Sequence, residues 1–446
     1  MAPYILTLDD MTQRLRSTFE GFTDPRQGKN TTYTLVDAAL SAFAVFFLQS
    51  PSFLEYPRSL EQARGENNAR TLFGAHDIPS DHPIRTLLDA TDPAAVEPLF
   101  AYLFSALEQA GVVDTYRSVG GAVLLALDGT EYFSSPAIHC APCSTRQHAN
   151  GKVTYYHAAL TPVLVKPGGD KVIPLAPAFI RPQDGAQQQD GEINAAKRWL
   201  AAHGGECSRL KAISLGDDLY CHEPFCRALQ SLGLDFILVC QPDSHPVTYE
   251  WVADLQRTGA VGTVTQTRWT GKRREMDNYR YAAAVPLRDA DDALMVNGCE
   301  LTTTDTDGKV LYCNAFATPL ALNGGNVAEV VAAGRGRWKI ENENNNTLKT
   351  KGYHFEHNYG HGQRHLSSLL ASLIILAFVT HTVLEWMDDK YQLLRRKRPS
   401  RQRRFNDIRT LTSYRCFDGW EALMDFMLKS FDPLPPAEPK TGGLPK

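Results

Sequence analysis

Between Leu366 and Leu384 the chain reads LSSLLASLIILAFVTHTVL, 19 residues without Asp, Glu, Lys or Arg. A helix apolar on every side must be surrounded, either by lipid or by a large protein core. Its length approaches what a bilayer crossing needs. Serines, threonines and a histidine interrupt it, and no second long apolar span accompanies it. The sequence therefore predicts a buried core helix and no membrane span. A chain of 446 residues, 43% hydrophobic and 22% charged, can enclose such a helix, and its composition excludes global disorder.

The N-terminus, MAPYILTLDDMTQRLRS, lacks a basic segment followed by an apolar run. The cysteines number nine, an odd count that argues against a disulfide framework. Both features lead to the expectation of a cytoplasmic protein with reduced thiols.

Periodicity divides the chain into five parts. Residues 1–120 are read as helical, with apolar spacing of three and four over Leu8–Phe22, Leu35–Leu48, Ser59–Phe73 and Ala94–Ala110. Residues 121–244 are read as an α/β core. Strands are expected at Ala122–Leu127, Val153–Val165 and Lys171–Ile180, as an antiparallel meander. A helix (Glu192–Ala202), a strand (Leu210–Leu215), a helix (Glu223–Leu232) and a strand (Asp235–Cys240) follow. Residues 245–330 alternate in the manner of a β-rich insertion, and 331–391 return to helix. Residues 392–446 hold the basic run RRKRPSRQRR, a helix near Trp420–Lys429 and a Pro- and Gly-rich tail expected to be disordered.

The order of these elements gives meaning to certain acids. Asp128 and Asp217 each stand just past a predicted strand, and neighbouring strands would bring the two carboxylates to one sheet edge. A third acid is expected from the helix after the insertion, where Arg337 and Glu341 lie four apart on one face. Asp218 competes with Asp217, and Glu343 with Glu341. Three converging carboxylates form a hard oxygen site suited to Mg²⁺ or Mn²⁺ rather than zinc. Two such ions can serve phosphodiester chemistry. Strand-Asp, strand-Asp, helix-Glu in β-β-β-α-β-α-β-α order is the arrangement of a ribonuclease H-like mixed sheet flanked by helices.

The motifs LDGTEYF around Asp128, GDDLY around Asp217 and RWKIE at 337–341 resemble those of insertion-sequence transposases of the DDE class. These are cut-and-paste enzymes with a β insertion before the last acid. The segment NTLKTKGYHFEHNYGHG is also similar, and IPSDHPIRTLLD (78–89) more weakly so. The resemblance covers about 120 to 390. It implies that Asp128, Asp217 and Glu341 are catalytic and bind two Mg²⁺ or Mn²⁺ ions. It further implies that Arg337 and Trp338 contact the transposon-end DNA. The family's tyrosine and lysine fall here on Gly334 and Leu348. Lys349, one place later, and Lys351 are the candidate phosphate contacts. DNA is the expected partner, as transposon ends and target, with a homodimer in the complex. Residues 1–120 are the expected sequence-reading part. The alternatives are a ribonuclease H-like nuclease without strand transfer and a domesticated DNA-binding protein.

Net charge is −4, yet residues 335–404 hold 14 Lys or Arg against 6 Asp or Glu. That local excess fits phosphate contacts, although a solvated linker would look the same.

Cys140 and Cys143 form C-x-x-C, with His139 and His148 at irregular spacing. A strand-connecting loop with ordinary thiols is expected there, ahead of a zinc site. His354, His357, His361 and His365 are expected to be packing or supporting histidines. Cys221-His222-Glu223 is read as an ordinary helix start.

Overall fold

The computed structural model describes residues 6–24, 26, 32–53, 67–182 and 190–431. The central element is a nine-stranded mixed sheet. Its strands come from β1 (Leu124–Ala126) onward, and a second, four-stranded sheet is built from β2 (Gly129–Ser135), β3 (Ser144–Gln147), β4 (Val153–Leu160) and β7 (Ala178–Ile180). Between β4 and β7 come β5 (Val163–Val165) and β6 (Ile173–Pro174), and β8 (Ile213–Gly216) and β9 (Asp235–Val239) follow. The last four are β10 (Gly262–Trp269), β11 (Arg274–Pro286), β12 (Met295–Asp305) and β13 (Val310–Thr318).

In the large sheet the order is β10-β11-β12-β13-β9-β8-β1-β5-β6. β6, β5 and β1 pair antiparallel, whereas β1, β8 and β9 pair parallel. β13 joins β9 antiparallel through Phe316↔Val239 and Ala317↔Leu238, so the inserted strands extend the core sheet.

Two of the expected strands prove to be composite. The run from Val153 to Val165 breaks at Thr161-Pro162, and β4 enters the small sheet while β5 enters the large one. Proline cannot donate to a ladder, which favours a break at that point. Lys171–Ile180 divides in the same way into β6 and β7. The chain also leaves the large sheet between β1 and β2, at Asp128. The backbone N–H of Thr161 donates to the Asp128 carbonyl at 3.0 Å and ties the two departures together.

The region expected to be a β-rich insertion opens with a helix, Pro246–Arg257. Its proline at the first turn is compatible with helix, because that N–H needs no intrahelical acceptor. A short helix at Asp81–Leu88 was not anticipated. Leu8–Glu20, Leu35–Phe47 and Glu97–Gln109 match three of the four expected N-terminal helices closely. The fourth is described only as Asn68–Phe73; the rest of Ser59–Phe73 falls outside the described residues, as does the tail from residue 432.

The 19-residue apolar run lies in the helix Leu366–Met387, long and apolar enough to cross a membrane, with 89% of its most apolar window buried inside the protein. It packs against Leu35–Phe47 and Glu97–Gln109. The Asp89 carboxylate caps its start, accepting from the backbone N–H groups of Gln363, Arg364, His365 and Leu366 at 2.9–3.2 Å. Burial opposes ionisation of Asp89, but these four donors outweigh it and hold its pKa below the ordinary value.

N-terminal and C-terminal helices share this core. Phe47 packs on Phe73, His381, Phe405 and Trp420, with ring centroids 4.4–5.9 Å apart. Asn68 donates to the carbonyls of Thr412 and Arg415 at 2.8 Å. The described N-terminal helices and the helices Arg401–Tyr414 and Trp420–Lys429 therefore pack together.

Candidate functional site

β1 and β8 run side by side in parallel register, Ala126 opposite Leu215. The pairing continues one step further, with the Leu127 N–H donating to the Leu215 carbonyl at 2.9 Å. Asp128 and Asp217 follow at the same end of these two strands. Asp217 caps the single turn Asp218–Tyr220, its Oδ1 accepting from the Leu219 N–H at 3.0 Å. Asp218 is engaged elsewhere: its Oδ1 accepts from the Gln241 N–H at 2.7 Å and lies 3.5 Å from His245 Nε2.

Glu341 comes from the segment after the insertion. Residues Ile340–Asn345 form a π-helical turn, an irregularity frequent at functional sites. Arg337 is buried and lies 2.9 Å from the Glu341 carboxylate. Its Nε has no hydrogen-bond partner among the described residues. Trp338, beside it, is 47% exposed, and the Arg337 guanidinium sits 5.3 Å from its ring centroid. Glu343 pairs instead with Lys339 at 3.6 Å and lines a separate cavity of about 430 Å³.

Two further residues belong to this cluster and were not singled out from the sequence. Asn345, at the end of the π turn, donates from Nδ2 to Asp128 Oδ2 at 2.9 Å. It also accepts from the Thr161 hydroxyl at 2.9 Å. Glu192, the first residue of the helix Glu192–Arg209, accepts from the Tyr220 hydroxyl at 2.6 Å. It presses so closely on Gly129 that a Cβ there would overlap its carboxylate.

The electrostatics tie the acids together. Burial first, then Glu192, push Asp128 up to about 7; Arg337 opposes, and Glu341 and Asp217 add to the rise. Burial also raises Glu192, partly countered by Tyr220, the Gly129 N–H and Arg337, while Asp217 reinforces it. Several carboxylates thus crowd one half-buried end of the sheet around one guanidinium. Such an arrangement is costly unless a cation joins it. Asp128, Asp217 and Glu341 offer oxygen donors only, but among the described residues their carboxylates do not form a group with all donor atoms within 4.8 Å of one another.

Of the remaining candidates, Lys349 is paired with Glu356 at 2.9 Å. Lys351 is exposed and lines the 430 Å³ cavity. The same cavity is walled by part of the basic run, which is less free than its composition implied. Buried Glu385 draws Arg401, Arg395, Arg404 and Lys171 to within 2.9, 3.0, 3.4 and 3.8 Å. Pro399 separates the helices Asp389–Lys397 and Arg401–Tyr414, so the run is a helical corner.

Cys140 and Cys143 are free thiols in the strand-connecting loop between β2 and β3, as expected. Both cysteines converge with His157 of β4 and with His361, their donor atoms all within 4.8 Å of one another. The flanking histidines stand apart: His139 stacks on Tyr155 and His148 bonds the Thr154 hydroxyl at 2.8 Å. Contact with Cys140 pulls the Cys143 thiol down, and the same contact pushes Cys140 up. The visible signal in the sequence was the C-x-x-C itself; its partners lie too far along the chain for spacing to reveal them.

Comparison with known proteins finds no matching family model and no matching curated sequence.

Proposed function

We propose that the protein is a DNA transposase of the insertion-sequence DDE type, built on a ribonuclease H-like core. The observation that carries this reading is the position of Asp128 and Asp217 at the ends of adjacent parallel strands, with Glu341 acting on the same Asp128 carboxyl. The strand order β6-β5-β1-β8-β9, antiparallel and then parallel, supports the fold assignment. So does the place of β10–β13, between the fifth core strand and the acid-bearing helix.

In this reading Asp128, Asp217 and Glu341 hold two Mg²⁺ or Mn²⁺ ions. When bound, the ions supply Lewis-acid activation of water or a 3′-hydroxyl and of the scissile phosphate. The chain's own part is to orient the donors. Asn345 fixes one Asp128 oxygen, and Arg337 positions Glu341 while balancing charge. Trp338 offers an exposed ring for stacking on DNA, and Lys351 offers a cation for phosphate. Lys349 would first have to leave Glu356.

The two departures from the resembled pattern have physical counterparts. At Gly334 a Cβ would come within 2.7–2.9 Å of Phe316 and Ile237, so this backbone has no room for tyrosine. Leu348 is fully buried, where a lysine ammonium would lack solvent. The expected partners are transposon ends and target DNA, with a homodimer pairing two ends in the cytoplasm.

The first test lies in the DNA flanking the coding region: short inverted repeats bracketed by a direct duplication are expected. End-labelled repeats incubated with the protein and Mg²⁺ should be cut and then joined to a target duplex. Cutting without joined products would favour a nuclease, and binding without cutting a domesticated regulator. Glu341→Gln is expected to keep end binding and lose strand cleavage; cleavage by that variant would remove Glu341 from this role.

A further inference from the structure

A second group of donors lies in a different part of the molecule and has different chemistry. Cys140 and Cys143 sit in the loop between β2 and β3, His157 on β4, and His361 in the segment between the helices Asn346–Thr350 and Leu366–Met387. The two thiol sulfurs are 3.5 Å apart. His157 Nε2 lies 3.2 Å from Cys140 Sγ and 3.4 Å from Cys143 Sγ. A tetrahedral zinc site with Zn–S near 2.3 Å and Zn–N near 2.0 Å has ligand-to-ligand edges of about 3.3 to 3.8 Å. These three spacings fall close to that range and His361 lies within 4.8 Å of the other donors, so an ion needs mainly to draw His361 inward.

We propose that Cys140, Cys143, His157 and His361 form a closed structural Zn²⁺ site that clamps the segment following Glu341 onto the small sheet. Four protein ligands leave no open position, the pattern of a structural rather than a catalytic zinc. Two thiolates and two imidazoles select zinc over the hard cations suited to the acidic cluster. The C-x-x-C turn is preformed, with the Cys143 N–H donating to the Cys140 carbonyl at 3.1 Å and the Cys140 N–H to Cys143 Sγ at 3.4 Å. Cys143 and His157 are buried.

An independent observation points to a missing partner. His361 Nδ1 is buried and, beyond the ring's approach to the Cys143 thiol, has no hydrogen-bond partner among the described residues. Its ring is held edge-on by Phe133 at 3.9 Å and lies 5.2 Å from His157. Tyr132 stacks on the other histidine at 5.7 Å. An aromatic wall of this kind fixes ring orientation and limits water, which strengthens a metal site. The trio Cys221, Cys240 and His245 offers three donors only, and His245 already faces Asp218.

The clamp has a structural consequence. β2 begins next to Asp128, and the His361 segment follows the turn that carries Glu341 and Asn345. Closing it couples zinc binding to the stability of this whole corner. This zinc clamp is independent of the reaction the acidic cluster performs.

Full-length protein purified without chelator should contain one zinc per chain by mass spectrometry of the elements. Replacement by Co²⁺ should give the visible bands of a tetrahedral site and a thiolate charge-transfer band. Cys143→Ser and His361→Ala should each lose the bound zinc, and His148→Ala should retain it. Thiol alkylation of the wild-type protein should spare Cys140 and Cys143 until a chelator is added, which tests the site even if a variant fails to fold. Wild-type protein lacking zinc, a Cys140–Cys143 disulfide in place of the metal, or zinc retained by both ligand variants would each overturn the proposal.

Discussion

The side-chain amide of Asn345 donates to Oδ2 of Asp128 across 2.9 Å and joins the π-helical turn after Glu341 to the end of strand β1. The same amide accepts from Thr161, whose own N–H holds the Asp128 carbonyl. One residue thus links the two points where the chain passes between sheets to the segment carrying the third acid.

Asn345→Ala should leave buried polar groups on Asp128 and Thr161 without this partner. A loss of about 1–3 kcal/mol is expected from the desolvation left uncompensated. Urea denaturation measures it directly. A midpoint equal to that of the wild type would mean that water or a neighbour replaces the amide at no cost.

Asp128 carries a pH signature of defined sign. Burial and then Glu192 raise its folded pKa to about 7, above the ordinary 3.8. The protonated form is therefore favoured in the folded state, and that contribution is lost as pH rises from about 4 through 7. Asp128→Asn should stabilise the metal-free protein more at pH 8 than at pH 5, by a difference on the order of 2 kcal/mol. Mg²⁺ should raise the Tm of the wild type at pH 8 and leave the variant unmoved. Thermal scans at the two pH values, with and without Mg²⁺, separate the two effects.

Glu385 is the counter-ion of the helical corner. Burial pushes it up, but Arg401, Arg395 and Lys171 outweigh that and hold its pKa below the ordinary 4.5. A depressed carboxyl stabilises the fold above its unfolded pKa, and the contribution is lost as pH falls through the lower folded value. Glu385→Ala should cost about 3–5 kcal/mol at pH 7, because it strands several partly buried cations. The penalty should shrink below pH 4.5. Equal chemical denaturation curves for the variant and wild type at pH 7 would show that solvent, together with the Asp170 carboxylate 3.9 Å from Arg395, suffices for these cations.

Local pattern carried much of the architecture. Asp128 and Asp217 stand out in the sequence because short apolar runs end beside them. The buried helix Leu366–Met387 is legible because nothing else can surround so apolar a stretch. The composite strands were less visible, although Pro162 marked one break. Glu192 and Asn345 carry no local mark, since each becomes part of the cluster only when helix packing brings it to β1. His157 and His361 were hidden for the same reason. One lies in a β-strand and the other in an irregular segment, and only the fold sets them beside the C-x-x-C.

The tight approach of Glu192 to Gly129 supplies the last prediction. A Cβ at position 129 would overlap the Glu192 carboxylate, while Glu192 is held in place by the Tyr220 hydroxyl at 2.6 Å. Gly129→Ala must therefore displace either the strand after Asp128 or the Glu192–Tyr220 pair. Overpacking of this kind costs about 1–3 kcal/mol. In a Glu192→Ala background the obstructing carboxylate is gone, and the same substitution should cost a small fraction of that. A double-mutant cycle by denaturant titration gives the coupling energy between the two positions. Additive effects would mean that the chain absorbs the methyl elsewhere, and that Glu192 does not set the path of the strand leaving Asp128.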